Sequence, residues 1–237
     1  TYPILLPVSE WEFKKHQKFW LVDNIFKEGG LDLLKEMAQC YPIVDNNNAD
    51  DDWDHNPFKV FHLPYWITAP ICEAVREFVL REYFHQGPEL QLIDERLSEW
   101  GNIYVKEDCR PLVNSCIPHV DFPHDEGWIA NLWLSQHEEE ETGTNLYDFK
   151  GAIDEGRFDF QLDSRHQRYT EWHSWVGDGK NHTQGFQNLT RDKAFHWGFR
   201  KIEQAPCKYG TMTIYNGNTP HCPFIDDSVQ WRWSHAF

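Results

Sequence analysis

The residues with the clearest capacity for chemistry lie in the second half of the chain. His119-Val120-Asp121 follows Pro118. In an extended segment, residues two apart project from the same face, so an imidazole and a carboxylate point the same way. Far downstream, Asn218-Thr219-Pro220-His221-Cys222-Pro223 supplies a second imidazole. Two histidines and one carboxylate make a facial triad, which suits non-haem iron(II) because it grips one side of the metal and leaves the other open. Trp231-Arg232-Trp233-Ser234 comes next, with Arg232 and Ser234 sharing a strand face. A guanidinium fork beside a hydroxyl is a good clamp for a carboxylate, since it donates two parallel hydrogen bonds. A buried arginine flanked by tryptophans is costly without an anion; the alternative is a guanidinium stacked on Trp231 or Trp233 and paired with an aspartate.

Other pairings stay open. His124 and Glu126 form a rival His-x-Glu pair, in a more polar stretch that reads as loop. The alternative for His119 and Asp121 is a surface turn ahead of Phe122-Pro123. His221 would be odd as a plain core residue, because the neighbouring prolines are expected to deny it a regular ladder. His137 with Glu138 to Glu141 lacks the spacing of a zinc protease, and the chain has no Gly-x-Gly-x-x-Gly, no phosphate-cradling loop and no Gly-x-Ser-x-Gly.

The elements that would position these groups follow from periodicity. Residues 29–40 read as a short amphipathic helix with Leu31, Leu33, Leu34, Met37 and Ala38 on its apolar face. Thr68 to Phe84 reads as a second helix, capped by Thr68, with Ile71, Val75, Phe78, Val79 and Tyr83 on one face. Leu92 to Trp100 reads as a third. From Asn102 the chain turns to strands: Ile103–Val105, Leu112–Val120, Trp128–Ser135, Asn145–Phe149, Tyr209–Tyr215 and Val229–Ser234. A helical front followed by short strands predicts an α+β fold whose strands close into a double sheet or barrel. Residues 150–200 have weak periodicity and read as a long insertion between strands. Its Arg165, Arg168, Tyr169, Trp172, Trp175 and Arg191 suit either a lid over the pocket or a small packed cluster.

The order His-x-Asp, distal His, then Arg-x-Ser resembles the iron(II)/2-oxoglutarate-dependent dioxygenases. The middle of the chain looks most like their prolyl-hydroxylase branch: His119-Val120-Asp121 is followed by Ile129 to Ser135, with the aromatic-Leu-polar step Trp133-Leu134-Ser135, then by Gly143-Thr144-Asn145-Leu146-Tyr147. The resemblance covers about residues 100 to 237. It implies a double-stranded β-helix, a cupin-like jelly roll with the N-terminal helices packed on it. Residues 1–237 then form a single domain, with 1–100 as a helical N-terminal portion and 101–237 as the core. It implies iron(II) on His119, Asp121 and His221, and 2-oxoglutarate with its far carboxylate on Arg232 and Ser234. The family's 2-oxoglutarate tyrosine has no clear counterpart: Trp133 holds the comparable place, Tyr104 lies further upstream, and Asn131, on the Trp133 face, is the candidate for completing the clamp. The implied reaction consumes O2, releases succinate and CO2, and hydroxylates an amino acid, a peptidyl residue or another small molecule. Asp121 favours hydroxylation, since halogenating relatives carry a small residue there. The alternative is a jelly-roll binding module, lectin-like or metal-binding, without turnover.

Bulk composition bounds the partners. The net charge of −16 argues against nucleic acid, whose binders carry a basic stripe. An acidic surface also disfavours anionic membranes, and no apolar run approaches the ~20 residues of a membrane span. The six cysteines form no Cys-x-x-Cys pair, the first residues do not read as a signal peptide, and reduced thiols in a cytoplasmic protein are the expectation.

Overall fold

The structure is a computed structural model. It describes residues 4–40, 42, 44–45, 58–83, 100–105, 127–137, 142–148, 200–217, 219–226 and 228–237, with backbone alone for 44–45, 58–60, 100 and 102–105. The anticipated helix at 92–100, up to Trp100, the strand at 112–120 and the insertion up to 199 lie outside the described residues.

Two antiparallel sheets and two α-helices make up the described fold. In chain order the elements are β1 (Glu12–Lys15), β2 (Trp20–Asp23), α1 (Gly30–Cys40), β3 (Val44–Asp45), β4 (Phe58–Phe61), α2 (Tyr65–Tyr83), β5 (Trp100–Val105), β6 (Trp128–Trp133), β7 (Thr142–Asp148), β8 (Arg200–Pro206), β9 (Met212–Asn216), β10 (His221–Ile225) and β11 (Trp231–Ala236). The large sheet runs β1-β2-β9-β6-β11-β5-β4-β3 and the small one β10-β7-β8.

Alternation along the central strands creates two apolar layers. On one side of the large sheet, Val22, Ala130, Leu132, Leu134, Met212 and Ile214 pack with Leu34 and Ala38 of α1 and Ile67, Ile71, Ala74 and Phe78 of α2. The opposite side meets the small sheet through Phe19, Leu21, Ile129, Leu146, Ala205 and Tyr215. The i, i+4 spacing of Gly30, Leu34 and Ala38 sets the buried line of α1, while Leu33, expected on that face, is exposed. Gly30 is there because the chain passes close: a Cβ would sit 2.5 Å from the Ile4 carbonyl oxygen.

Several expectations are corrected. Helix α2 starts at Tyr65, so Thr68 is an interior residue, its Oγ1 3.5 Å from the Tyr65 carbonyl, and not a cap. Tyr83 is exposed rather than part of the apolar face; its hydroxyl accepts the Trp20 indole proton at 2.7 Å and its ring meets Trp128 at a 40° tilt. The first hundred residues carry β1 to β4 as well as helices. Among the described residues no helix is long and apolar enough to cross a membrane.

His235, on the helix-facing side of β11, is fully buried between Phe61 and Phe237, and neither ring nitrogen finds a partner among the described residues. Burial, with His62 nearby as the lesser cause, pushes its pKa down to about 3 from the ordinary 6.5. As pH falls through that window the unfolded chain takes up this proton and the folded one does not. Stability contributed by neutral His235 is therefore complete above pH 6.5 and declines below it, by up to about 1.4 kcal/mol per pH unit. Urea unfolding at pH 7 and pH 5 should show a steeper loss in the wild type than in His235→Leu, and parallel losses would refute this assignment.

Candidate functional site

The face of the large sheet turned toward the small one carries the polar groups. In β11, Arg232 and Ser234 are both buried, at 5% exposure each, and Trp231 between the turn and Arg232 is exposed at 40%. Ser234 pairs with Trp133 and Ala236 with Asn131, so these side chains stand in one patch. On the other flank of β6, Asn131 pairs with Thr213 and Ile129 with Tyr215. The anticipated sharing of a face by Asn131 and Trp133, and by Arg232 and Ser234, follows from these registers. Tyr104 pairs through its backbone with Arg232.

Arg232 reaches across to the small sheet. Its Nη1 donates to Thr142 Oγ1 at 3.1 Å and to the Gly143 carbonyl at 3.2 Å, and its Cζ lies 5.4 Å from the Trp133 ring centroid. The guanidinium thus stacks on Trp133, not on the Trp231 or Trp233 considered from sequence. Cys207 lies close enough to feel the arginine's charge, yet burial dominates and pushes its thiol up to about 12. It stays neutral near pH 7 and supplies no counter-charge. Gly143 admits no side chain, since a Cβ would meet the backbone carbonyl of Ala205 in β8.

His221 opens β10, opposite Leu146 of β7. It is buried at 4% exposure. The expectation that prolines would keep it out of a ladder is overturned: Pro223 sits inside β10, opposite Thr144. Among the described residues β10 has a neighbour, β7, on one side, and a proline is tolerated in a strand where its position needs no ladder donor. The His221 Nδ1 lies 2.9 Å from the Thr219 carbonyl oxygen. A carbonyl only accepts, so Nδ1 carries the proton and Nε2 keeps its lone pair, the form that binds metal. The Tyr215 ring meets the imidazole at 62° with centroids 5.0 Å apart, and its hydroxyl accepts from Asn131 Nδ2 at 3.1 Å. Asn131 therefore holds Tyr215, a task the sequence reading did not give it.

Two further polar atoms on this face are buried without a partner among the described residues: Trp133 Nε1 and Thr213 Oγ1. Their residues are 2% and 0% exposed. Such orphans are uncommon and costly, about 1–3 kcal/mol each, and call for an additional hydrogen-bonding group between the sheets.

His119, Asp121 and the rivals His124 and Glu126 lie outside the described residues. Of the expected ligand set, the structure describes His221. Among the described residues no group of three His, Cys, Asp or Glu side chains could hold a metal. Tyr215, Thr213 and Thr142 were missed from sequence. The alternation of Met212–Asn216 already put Thr213 and Tyr215 on one face, shortly ahead of His221.

No protein-family model matches the chain, and no curated protein matches it in sequence. Its structure is similar to that of HygX from Streptomyces hygroscopicus with nickel and 2-oxoglutarate bound, at TM-score 0.51 and 13% identity, over 93% of this chain and 81% of HygX. Weaker similarities include the non-haem α-ketoglutarate-dependent carbocyclase SnoK from nogalamycin biosynthesis, at TM-score 0.47 and 12% identity, over 93% of this chain and 78% of SnoK. An N-substituted L-amino acid dioxygenase from Burkholderia ambifaria AMMD matches at TM-score 0.38 and 11% identity, over 92% of this chain and 80% of that one. At such identity the likeness to HygX is one of fold.

Proposed function

We propose that this chain is a non-haem iron(II), 2-oxoglutarate-dependent dioxygenase, a single domain on a double-stranded β-helix. In this reading His119, Asp121 and His221 hold the metal, and Arg232 with Ser234 holds the far carboxylate of 2-oxoglutarate. The observation that carries the reading is one polar face between the sheets. It has the buried Arg232 at one place, the buried His221 with Nδ1 on the Thr219 carbonyl at another, and in the same layer Trp133 Nε1 and Thr213 Oγ1, which have no partner among the described residues. The shared fold with HygX, which binds nickel and 2-oxoglutarate, supports it.

These residues fit the co-substrate. A guanidinium and a hydroxyl suit a terminal carboxylate, and the orphaned indole N–H and threonine hydroxyl would be satisfied by acceptor oxygens of a bound keto acid. Thr219 holds the His221 imidazole in one tautomer, and Tyr215 limits its rotation. Bound iron and 2-oxoglutarate would supply the O2 chemistry, with succinate and CO2 as co-products and hydroxylation of an amino acid, a peptidyl residue or another small molecule. The apolar cluster of Phe19, Leu21, Ile129 and Leu146 packs against Tyr215 beside the site.

The test is a panel of candidate substrates, scored by substrate-stimulated succinate release from iron-loaded protein. Stimulated release that depends on both iron and 2-oxoglutarate is expected. Tight binding of both without release for any substrate would favour the binding module; failure to bind either would overturn the proposal.

A further inference from the structure

Arg232 does not set its own direction. An arginine side chain has four rotatable bonds, and a carboxylate clamp works only when the guanidinium plane and its fork are fixed before the ligand arrives. Among the described residues, three groups hold it here. The Trp133 ring lies against the guanidinium at 5.4 Å from Cζ, which sets the plane. Thr142 Oγ1 and the Gly143 carbonyl, 3.1 and 3.2 Å from Nη1, set the rotation within that plane.

Thr142 is suited to this by its own bonding. Its hydroxyl proton goes to the Phe224 carbonyl at 2.9 Å. With the proton committed to β10, the oxygen turns a lone pair toward Arg232 and acts on it purely as an acceptor. The residue is fully buried, and its carbonyl accepts the Cys207 N–H at 3.1 Å, so backbone and side chain are both anchored. Branching at Cβ removes most of its remaining rotamer freedom. One hydroxyl thereby joins β7, β10 and β11.

We infer that Thr142 is a positioning residue for 2-oxoglutarate: through Arg232 Nη1 it aims the guanidinium fork at the co-substrate carboxylate. This rests on the proposed function. It adds a residue that neither touches the co-substrate in the proposal nor belongs to the Arg-x-Ser motif. The competing account is that Thr142 and Arg232 only cross-link the two sheets.

The two accounts separate on binding. The experiment titrates 2-oxoglutarate into nickel-loaded protein by calorimetry, and nickel alone into the metal-free protein, for wild type, Thr142→Val and Thr142→Ser. Valine keeps the shape and removes the acceptor; serine keeps the acceptor. Thr142→Val should raise the Kd for 2-oxoglutarate about tenfold, the size of one lost hydrogen bond to a charged group, and Thr142→Ser should restore it to within about threefold. Nickel affinity should be unchanged in both. Thr142→Ala, which cannot overfill the site, replaces valine if that variant does not fold. An unaltered Kd in Thr142→Val, or parallel losses of nickel and 2-oxoglutarate affinity, would overturn the inference. Wild-type protein that binds nickel but not 2-oxoglutarate would fail at the parent reading and take the inference with it, a result visible before any variant is compared.

Discussion

Arg232→Ala should weaken 2-oxoglutarate binding by about 2–5 kcal/mol, a loss of affinity of roughly thirtyfold or more. The size follows from burial. Arg232 is 5% exposed, so water cannot take over the charge it would neutralise. In the variant, a carboxylate entering the same space would be desolvated without a partner. Arg232→Lys keeps the charge but loses the fork and the flat contact with Trp133, and an intermediate loss is expected. Metal affinity should hardly move, because the His221 imidazole is fixed by Thr219 and Tyr215. Calorimetric titration of both ligands decides the matter. Equal weakening of metal and 2-oxoglutarate would mean that Arg232 serves to hold the sheets together through Thr142 and Gly143.

What was legible in the sequence was what period-two alternation encodes. Arg232 with Ser234, and Asn131 with Trp133, were expected to share strand faces, and the registers of β11 and β6 put all four in one patch. The apolar faces of the two helices were legible for the same reason at helical spacing, although Leu33 and Tyr83 turned out exposed. The remaining elements depend on contacts distant in sequence. Glu12-Phe13-Lys14-Lys15 has little strand character of its own; β1 exists because it pairs with β2 and because Phe13 stacks on Phe78 of α2, with centroids 4.3 Å apart. Strand β8 is half exposed and shows no alternation; it is defined by its partner β7. Pro223 argued locally against a strand, and only the pairing of β10 with β7, distant in sequence, places it in one. Tyr215 was visible as a strand residue, but its role needed the distance to His221, which no local pattern contains. Asn131 was placed on the Trp133 face, but its bond to Tyr215 was not anticipated, since sequence cannot say that Tyr215 stands across β6 and β9.

His221→Ala should cost on the order of a hundredfold or more in metal affinity. Disturbing an outer partner of a metal ligand already costs about 10–100-fold, and removal of the ligand itself exceeds that. The imidazole is buried and its Nδ1 faces the Thr219 carbonyl, so Nε2 is the nitrogen that would coordinate in this reading. Alanine would also open a cavity beside Tyr215, so His221→Gln, which fills more of the space without an imidazole, is the control for folding. His119→Ala and His124→Ala discriminate between the two candidate pairs upstream. If His119 and Asp121 complete the triad, His119→Ala should lose affinity as His221→Ala does, and His124→Ala should bind metal like the wild type. Cobalt(II) titration followed by its d–d absorption reads both affinity and ligand environment without requiring turnover. Loss in His124→Ala with normal binding in His119→Ala would transfer the assignment to His124 and Glu126. Normal binding in His221→Ala would remove the distal ligand, and with it the facial triad on which the iron site is built.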